Sequence, residues 1–278
     1  MNYITLKDGR KYYFDGTKIM GIINATPDSF YTESRVEGIE KALDKAKKMI
    51  EEGVDILDVG GESTRPGSDP VSEEEEIKRV IPVIEAIRNL NKDILISVDT
   101  YRAKTAKLAI EAGADIINDI SAMTFDENMI NIVKEYKVPI ILMHIKGTPK
   151  NMQENPYYHN VVSEVYEFLQ KRIEFALNNG ISKDKIIIDP GIGFGKLYKH
   201  NIELIKNIDV FKRLGCPILL AHSRKSTIGI ALGNLPPEER LEGTIAISCY
   251  AALHGVDMVR VHDVKENKRA ITMIEVLK

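Results

Sequence analysis

Short apolar runs alternate with longer segments of helical spacing along most of the chain. The runs predict eight strands, at 19–23, 56–59, 94–98, 115–117, 139–143, 186–188, 218–222 and 258–262. The helical segments lie at 36–52, from Glu73 onward, and at 102–112, 126–136, 157–179, 200–213, 238–254 and about 265–277. Because the runs are apolar on both faces and helices separate them, the sheet is predicted to be parallel. Eight such units predict an α/β fold, the (β/α)8 TIM barrel.

The first residues and the chain length extend this prediction. Residues 3–14 predict a short N-terminal β-hairpin that covers the closed end of the barrel. Its pairing side chains are Ile4 and Leu6 on one strand and Tyr12 and Phe14 on the other, across an Asp8-Gly9 turn. The 278 residues are close to the roughly 250 that are typical of such a barrel. No Pro- or Ser-rich linker divides the chain, so we expect residues 1–278 to form a single domain.

Composition and charge exclude several classes of function. Apolar residues make up 44% of the chain, and the formal net charge is −3. The protein therefore has no overall basic field for nucleic acid or an anionic membrane surface, and any anion site must be local. No apolar run approaches membrane-spanning length. The two cysteines, Cys216 and Cys249, do not indicate a disulfide framework, so we expect a cytoplasmic protein.

Polar or glycine-rich positions follow the predicted strands and would ring one mouth of the barrel. They are Asn24, the loop from Gly60 to Ser68, Asp99, Asn118, His144, Asp189, Lys225, Arg260 and His262. In this fold the active site lies at the C-terminal ends of the strands. The structural alternatives are a turn cap at Asn118 or Asp119, a satisfied core histidine at His144 and an Arg260–Asp263 pair. Together at one mouth, these residues favour a binding site.

The types of these residues suit a flat heterocycle that carries an anionic group. Carboxylates and an amide can bind an amino-pyrimidinone edge, because a carboxylate accepts two N–H bonds from a guanidine-like group. Those residues are Asp99, Asn118 and Asp189, with Lys225 as a donor to ring carbonyl or nitrogen atoms. A local anion pocket is expected from Asn24, Arg65, Arg260 and His262. No His/Cys cluster has the spacing of zinc ligands.

The segment from Asp189 to Lys196 carries three alternate glycines directly after a strand. A glycine-rich turn in this position can cradle a phosphate, but the strings of a P-loop and of a dinucleotide fingerprint are both absent. A sharp turn is the alternative. We expect the glycines to turn the chain and bring Phe194 to the rim, with Asp189 as a deep anchor for the bound ring.

Two long strings in the chain are similar to the signatures of dihydropteroate synthase. They run from Met20 to Phe30 and from Asp58 to Gly67. Shorter strings follow in the order of that family, at 97–100, 117–120, 142–144, 189–196, 223–226 and 260–263. The resemblance extends from about residue 18 to the end of the chain.

The resemblance implies a pterin-binding TIM barrel that joins p-aminobenzoate to 6-hydroxymethyl-7,8-dihydropterin diphosphate. The implied pterin site consists of Asp99, Asn118, Ile120, Met143, Asp189, Lys225 and Arg260. The implied p-aminobenzoate site consists of Thr64, Arg65, Pro66, Phe194, Lys225 and Ser226. The diphosphate is expected at Asn24, Arg260 and His262, with Mg²⁺ at Asn24. The implied catalytic set is Asn24, Arg65, Lys225, Arg260 and His262.

The family reaction has dissociative, SN1-like character, and the loops after the first two barrel strands are expected to close over the substrates. The resemblance also implies a homodimer. Two other functions stay open: a methyltransferase-type pterin-binding barrel, and a pterin-binding paralogue without catalysis. The second alternative depends on one departure, since Tyr31-Thr32-Glu33-Ser34 stands where family members often have Ser-Asp-Gly-Gly.

Overall fold

The computed structural model describes residues 1–25 and 35–278, and its main feature is a sheet of eight parallel strands surrounded by helices. The strands are β1 (Tyr3–Thr5), β2 (Lys11–Tyr13), β3 (Lys18–Asn24), β4 (Ile56–Gly60), β5 (Leu95–Asp99), β6 (Ile116–Asp119), β7 (Ile140–Met143), β8 (Ile186–Asp189), β9 (Leu219–Ala221) and β10 (Met258–Val261). The helices are α1 (Arg35–Glu51), α2 (Glu73–Leu90), α3 (Ala103–Ala112), α4 (Met129–Tyr136), α5 (Val161–Asn178), α6 (Tyr198–Lys206), α7 (Ser226–Ala231), α8 (Leu241–Leu253) and α9 (Val264–Leu277).

The strands β3 to β10 close into the predicted barrel. Each strand pairs in parallel with the next along the chain from β3 to β8, and β10 returns to pair with both β3 and β9. The remaining seam, between β8 and β9, is narrow: Ile188 and Ile218 form a single parallel bridge, and the Ile188 N–H donates to the Pro217 carbonyl at 2.9 Å. The prediction of a (β/α)8 barrel is therefore confirmed.

Side chains that point into the barrel change character from one layer to the next. Near the N-terminal ends of the strands the layer is entirely apolar, with Met20, Ile56, Leu95, Ile116, Ile141, Ile187, Leu219 and Met258 in one buried cluster. Successive side chains of a strand point to opposite faces, so the same inner face recurs two residues further on. At that height the residues include Asp58, Asn118, Asp189 and Arg260. The barrel interior is therefore apolar near the N-terminal ends of the strands. The polar layer above it, with Asp58, Asn118, Asp189 and Arg260, is called the floor of the mouth.

The N-terminal hairpin covers the apolar end, as predicted. Ile4, Leu6 and Phe14 are buried in the same cluster as the inner apolar layer. The register differs from the predicted one at the turn. Ile4 lies opposite Tyr12, but Leu6 bonds to Arg10, and Phe14 bonds to Asn2. Leu6 and Phe14 are therefore not backbone partners, and both pack into the apolar cluster at this end of the barrel.

One helical prediction was wrong in detail, and one short helix was not predicted. The segment predicted as one helix at 200–213 is divided into α6 and a 3-10 helix at Ile208–Leu214. Asn207 separates them, because its side-chain amide donates to the Glu203 carbonyl at 2.9 Å and its own backbone leaves the helical region. The short helix α7 was not predicted, since its six residues are too few to show an apolar period.

Candidate functional site

The sequence-predicted polar residues converge on the mouth at the C-terminal ends of the strands. Asn24, Asp99 and Asp189 are the last residues of β3, β5 and β8, and Arg260 lies within β10. Backbone register makes several of them neighbours, since Asp99 pairs with Asn118 and Met143 pairs with Asp189. The loop after β4 leaves Thr64 half-buried and Arg65 and Pro66 exposed at the same end. Ser226 opens α7.

Arg260 joins two carboxylates at the floor of the mouth. Its Nε donates to Asp58 Oδ2 at 2.6 Å, and its Nη2 donates to Asp99 Oδ2 at 2.9 Å. The Asn118 side chain donates to the same Asp58 oxygen at 3.1 Å. Planar guanidinium groups suit this forked arrangement, which fixes both the position and the plane of Arg260. The alternative that Arg260 pairs with Asp263 is wrong, because Asp263 binds Arg224 at 2.8 and 2.9 Å.

Asp58 is a site residue that sequence reasoning missed. It is completely buried, and its second oxygen, Oδ1, has no hydrogen-bond partner within the described residues. Buried carboxylates are costly unless they are paired, so an aspartate in the middle of the apolar string 56–59 was a usable signal. Its role follows from the contacts with Arg260 and Asn118, which it holds in place.

Burial shifts the acid–base properties of this floor. It raises the pKa of Asp99 to about 7, against the opposing charge of Arg260. Burial also raises the pKa of Asp189, whose Oδ1 accepts the Gly191 N–H at 2.7 Å. Burial lowers the pKa of Lys225 to about 8, with Asp189 acting in the opposite direction. Burial thus disfavours the charged form of each of these side chains. A ligand would stabilise the charged forms if it supplied N–H groups to the carboxylates and a carbonyl group to the ammonium group.

A small apolar cluster borders this polar floor. It consists of Ile120, Met143, Ile145, Met152 and Phe194, all buried, with Tyr101 packed against it. The Lys225 ammonium group lies 4.6 Å from the centre of the Phe194 ring. The family resemblance implied site positions for Ile120, Met143 and Phe194, and the structure brings these three side chains together. The combination of apolar walls with a few polar groups is typical of a small-molecule pocket.

The glycine-rich loop after β8 is shaped by close backbone contact. Gly191 and Gly195 have positive φ angles, and a Cβ atom would stand 1.9 Å and 2.3 Å from the carbonyl oxygens of His144 and Lys146. Lys196 is 2% exposed and donates to the carbonyls of Gly191 and Phe194 at 2.7 and 2.9 Å. The glycines therefore permit a sharp turn, which Lys196 holds from below.

His144 and Asp119 have structural environments. His144 is buried, its Nδ1 lies 2.9 Å from the Lys196 ammonium group, and burial keeps its pKa well below the usual value. Asp119 accepts the backbone N–H groups of Ser121 and Met123 at 2.8 and 2.7 Å. Burial raises the pKa of Asp119 to about 6. These contacts agree with the structural alternatives, in which His144 is a satisfied core histidine and Asp119 caps a turn.

The segment after β9 places one cation inward and one outward. Lys225 reaches the carbonyl of Ile192, whereas Arg224 has a left-handed φ of 55° and binds Asp263 at the rim. Ser223 Oγ lies 2.8 Å from Nδ1 of His262 and fixes that ring. Burial, together with the charges of Lys45 and Arg260, lowers the pKa of His262 to about 4. The His262 imidazole is therefore neutral near pH 7, and Ser223 orients its ring.

Asn24 is the residue to which Mg²⁺ was assigned. Its side chain offers one carbonyl oxygen, and no group of three or more His, Cys, Asp or Glu residues suited to a metal occurs within 1–25 and 35–278. This single oxygen donor fits Mg²⁺ only where phosphate groups of a ligand and water supply the other positions, since that ion often takes only one or two protein ligands. The altered segment Tyr31 to Ser34 lies outside the described residues.

His222 gives a pH-dependent contribution to stability. Its Nε2 lies 3.0 Å from the Thr244 carbonyl and from Ser248 Oγ, and burial lowers its pKa from 6.5 to about 4. The unfolded chain therefore binds the proton more readily, and the stabilisation present above pH 6.5 is lost as the pH falls towards 4. Between pH 7.5 and 5, wild type should lose on the order of 2 kcal/mol of unfolding free energy relative to His222→Gln. Urea titrations at both pH values measure this difference, and an unchanged difference would contradict the assigned protonation state.

The helices of residues 1–25 and 35–278 include none that is both long and apolar enough to cross a membrane. The two cysteines are free, and Cys216 is buried.

Comparisons with known proteins agree on one family. The family described as "Pterin binding enzyme" matches residues 20–262. A dihydropteroate synthase of Clostridium beijerinckii is 48% identical over 275 residues, which cover 98% of this chain and 99% of the relative. The solved structure of Xanthomonas albilineans dihydropteroate synthase with 4-aminobenzoic acid has a TM-score of 0.91 and 39% identity, covering 99% of this chain and 97% of the other. The same enzyme in complex with 7,8-dihydropteroate gives a TM-score of 0.88 and 37% identity, over 99% and 98% of the two chains.

Proposed function

Because the chain belongs to the dihydropteroate synthase family, we propose that its barrel mouth joins p-aminobenzoate to 6-hydroxymethyl-7,8-dihydropterin diphosphate. The products are 7,8-dihydropteroate and diphosphate. The observation that carries the proposal is the floor of the mouth, where Asp99, Asn118 and Asp189 lie beside Arg260 and Lys225. Its donors and acceptors match a flat amino-pyrimidinone ring, and the neighbouring apolar wall matches the two faces of that ring.

Asp189 and Lys225 bind the pterin ring in this proposal. Asp189 is 2% exposed, and the Gly191 N–H fixes one of its oxygens, so the carboxylate is oriented before the substrate arrives. It accepts two N–H groups of the aminopyrimidine, while Asn118 and Asp99 bind further ring nitrogens. Lys225 donates to the ring carbonyl or a ring nitrogen. Ile120 and Met143 contact the ring from the wall.

The diphosphate end of the substrate meets Asn24, Arg260 and His262. Asp58 and Asp99 hold the Arg260 guanidinium group at the floor, and Ser223 holds the His262 ring. When bound, Mg²⁺ would offset the charge of the leaving diphosphate, and Asn24 would contribute an oxygen ligand. Preorganised hydrogen-bond donors and cations of this kind stabilise charge that develops only as the carbon–oxygen bond breaks.

The reaction requires orientation more than a strong base. The breaking carbon–oxygen bond leaves its electron pair on the diphosphate, and the electron-rich dihydropterin stabilises the methylene cation. The aryl amine nitrogen of p-aminobenzoate then attacks this carbon, and the resulting ammonium group loses its proton to water. Thr64, Arg65, Pro66, Phe194, Lys225 and Ser226 form the second-substrate site in this proposal. Positioning of this kind can supply a large part of a rate enhancement.

The experiment that tests the function measures diphosphate release by the purified protein. With p-aminobenzoate, the pterin diphosphate and Mg²⁺ all present, we expect release of diphosphate and formation of dihydropteroate. Omission of p-aminobenzoate is the control and should abolish product formation. Intact pterin binding without p-aminobenzoate-dependent release would instead favour a non-catalytic paralogue or a methyltransferase-type barrel.

We also propose that the protein is a cytoplasmic homodimer with residues 1–278 as one domain. The support for a dimer is α8, whose residues from Ile245 to Leu253 are apolar except for Ser248 and which leaves the Leu253 side chain 57% exposed. Helices that are apolar all round are normally buried, and a second copy of the chain would cover this surface. Sedimentation equilibrium tests the oligomeric state, and a monomer mass at micromolar concentration would contradict it.

A further inference from the structure

The loop between β4 and α2 is fastened at both ends by one side chain, Arg102. The Arg102 Nη2 group donates to Glu62 Oε2 at 2.8 Å and to the Val71 carbonyl at 2.7 Å. The Val71 N–H in turn donates to Glu62 Oε2 at 3.2 Å. Glu62 lies near the start and Val71 near the end of this loop, which carries Thr64, Arg65 and Pro66 between them. The Arg102 guanidinium group and the Glu62 carboxylate therefore join the two ends of this loop together.

Residues of α2 and α3 and the neighbouring Tyr101 hold the Arg102–Glu62 pair in place. Its Nη1 donates to Glu76 Oε2 at 3.0 Å, and that oxygen also accepts the Thr105 hydroxyl at 2.7 Å. The Tyr101 hydroxyl donates to Glu62 Oε1 at 2.9 Å. The side chains of Arg102, Glu62 and Glu76 are only 14%, 5% and 1% exposed. Charge-assisted bonds in such a buried network are stronger and more directional than at the surface.

The tip of the loop is held by weaker contacts. Gly67 donates its N–H to the Pro149 carbonyl at 3.0 Å, and Asp69 pairs with Lys150 where both side chains are largely exposed. Solvent-exposed ion pairs such as this one contribute little to stability. Within the tip, the Ser68 hydroxyl bonds to the Arg65 carbonyl at 2.7 Å and keeps the turn compact. A shift at the base of the loop is therefore passed on to Arg65.

We propose that Arg102, acting through Glu62, is a positioning residue for the second-substrate site. It does not contact the substrate but fixes the loop that presents Thr64, Arg65 and Pro66 to the mouth. The inference depends on the proposed function, since it assigns the loop to p-aminobenzoate.

Arg88 is a matched control for a purely structural role. It is also a half-buried arginine, 18% exposed, and its Nη2 binds Asp115 Oδ2 at 2.6 Å and the Gly113 carbonyl at 3.0 Å. Its Nη1 donates to the Ile94 carbonyl at 2.8 Å. These contacts lie near the N-terminal ends of β5 and β6, at the opposite end of the barrel. Loss of the bonds that the Arg88 guanidinium group makes should lower the stability of the protein without moving the loop between β4 and α2.

The experiment compares Arg102→Lys with Arg88→Lys, since lysine keeps the charge but cannot bridge several acceptors in one plane. For Arg102→Lys we expect the KM for p-aminobenzoate to rise at least tenfold, while the dissociation constant of the pterin diphosphate stays within twofold of wild type. Arg88→Lys should lower the melting temperature with an unchanged KM. Tyr101→Phe removes the hydroxyl that donates to Glu62 and accepts from Arg102 Nη2 at 2.9 Å, and leaves the Arg102–Glu62 pair in place. It gives a milder test, with an expected rise in KM of about threefold.

Two results would overturn the inference: a wild-type KM in both Arg102→Lys and Tyr101→Phe, or an equal rise in KM for Arg88→Lys. These results presuppose an active wild-type protein. A wild type that releases no diphosphate contradicts the proposed function itself, so the two failures are distinguishable.

Discussion

Asp189→Asn is expected to weaken binding of the pterin diphosphate about 100-fold. The carboxylate lies at the end of β8 with 2% exposure, and its Oδ1 is already fixed by the Gly191 N–H. The amide that replaces it presents an NH₂ group to one of the two substrate N–H donors. A donor then faces a donor at a buried position, and a charge-assisted bond is lost as well. Isothermal titration calorimetry with the pterin diphosphate measures the change.

Arg65→Ala is the matched control for Asp189→Asn. Arg65 is exposed on the loop after β4, whereas Asp189 is buried at the end of β8. This variant should bind the pterin diphosphate like wild type but turn over poorly with p-aminobenzoate. Wild-type pterin affinity in Asp189→Asn would show that the ring is anchored elsewhere.

Arg260→Met is expected to lower kcat about 1000-fold, the upper range for removal of one preorganised charge-stabilising group. The same change leaves Asp58 and Asp99 buried without the cation that joins them. The free energy of unfolding should therefore fall by about 3 kcal/mol. Steady-state kinetics and denaturant titration measure the two effects separately. Kinetics are performed at a temperature well below the melting transition of the variant.

Arg260→Lys separates charge from geometry at this position. Lysine restores a cation but cannot reach Asp58, Asp99 and a diphosphate oxygen through one planar fork. We expect most of the lost stability to return, while kcat remains at least tenfold below wild type. Recovery of full turnover would show that only the charge of Arg260 matters, and wild-type kcat in Arg260→Met would remove this residue from the mechanism.

The strand and helix pattern made the barrel predictable. Each strand is buried on both faces, so its sequence is a nearly continuous apolar run, as in 186–188 and 139–143. Such runs, separated by helices, leave few alternatives to a parallel barrel, and the barrel places every strand end at one mouth. The positions of Asp99, Asn118, Asp189 and Arg260 around that mouth were accessible from the sequence for this reason. The division of 200–213 at Asn207 was not, because a single side-chain bond decides it.

The sequence by itself determined which side chains face the mouth, because alternation along a strand is a local property of the backbone. It did not determine which of them pair. Arg260 could have bound its near neighbour Asp263, yet its partners Asp58 and Asp99 lie 202 and 161 residues away along the chain. Asp263 binds Arg224 instead. In the glycine-rich turn, the Lys196 ammonium group donates to the Gly191 carbonyl, where the sequence also allowed a phosphate site. These choices depend on distances across the closed barrel, where burial makes each unpaired charge costly, and only the tertiary structure sets those distances.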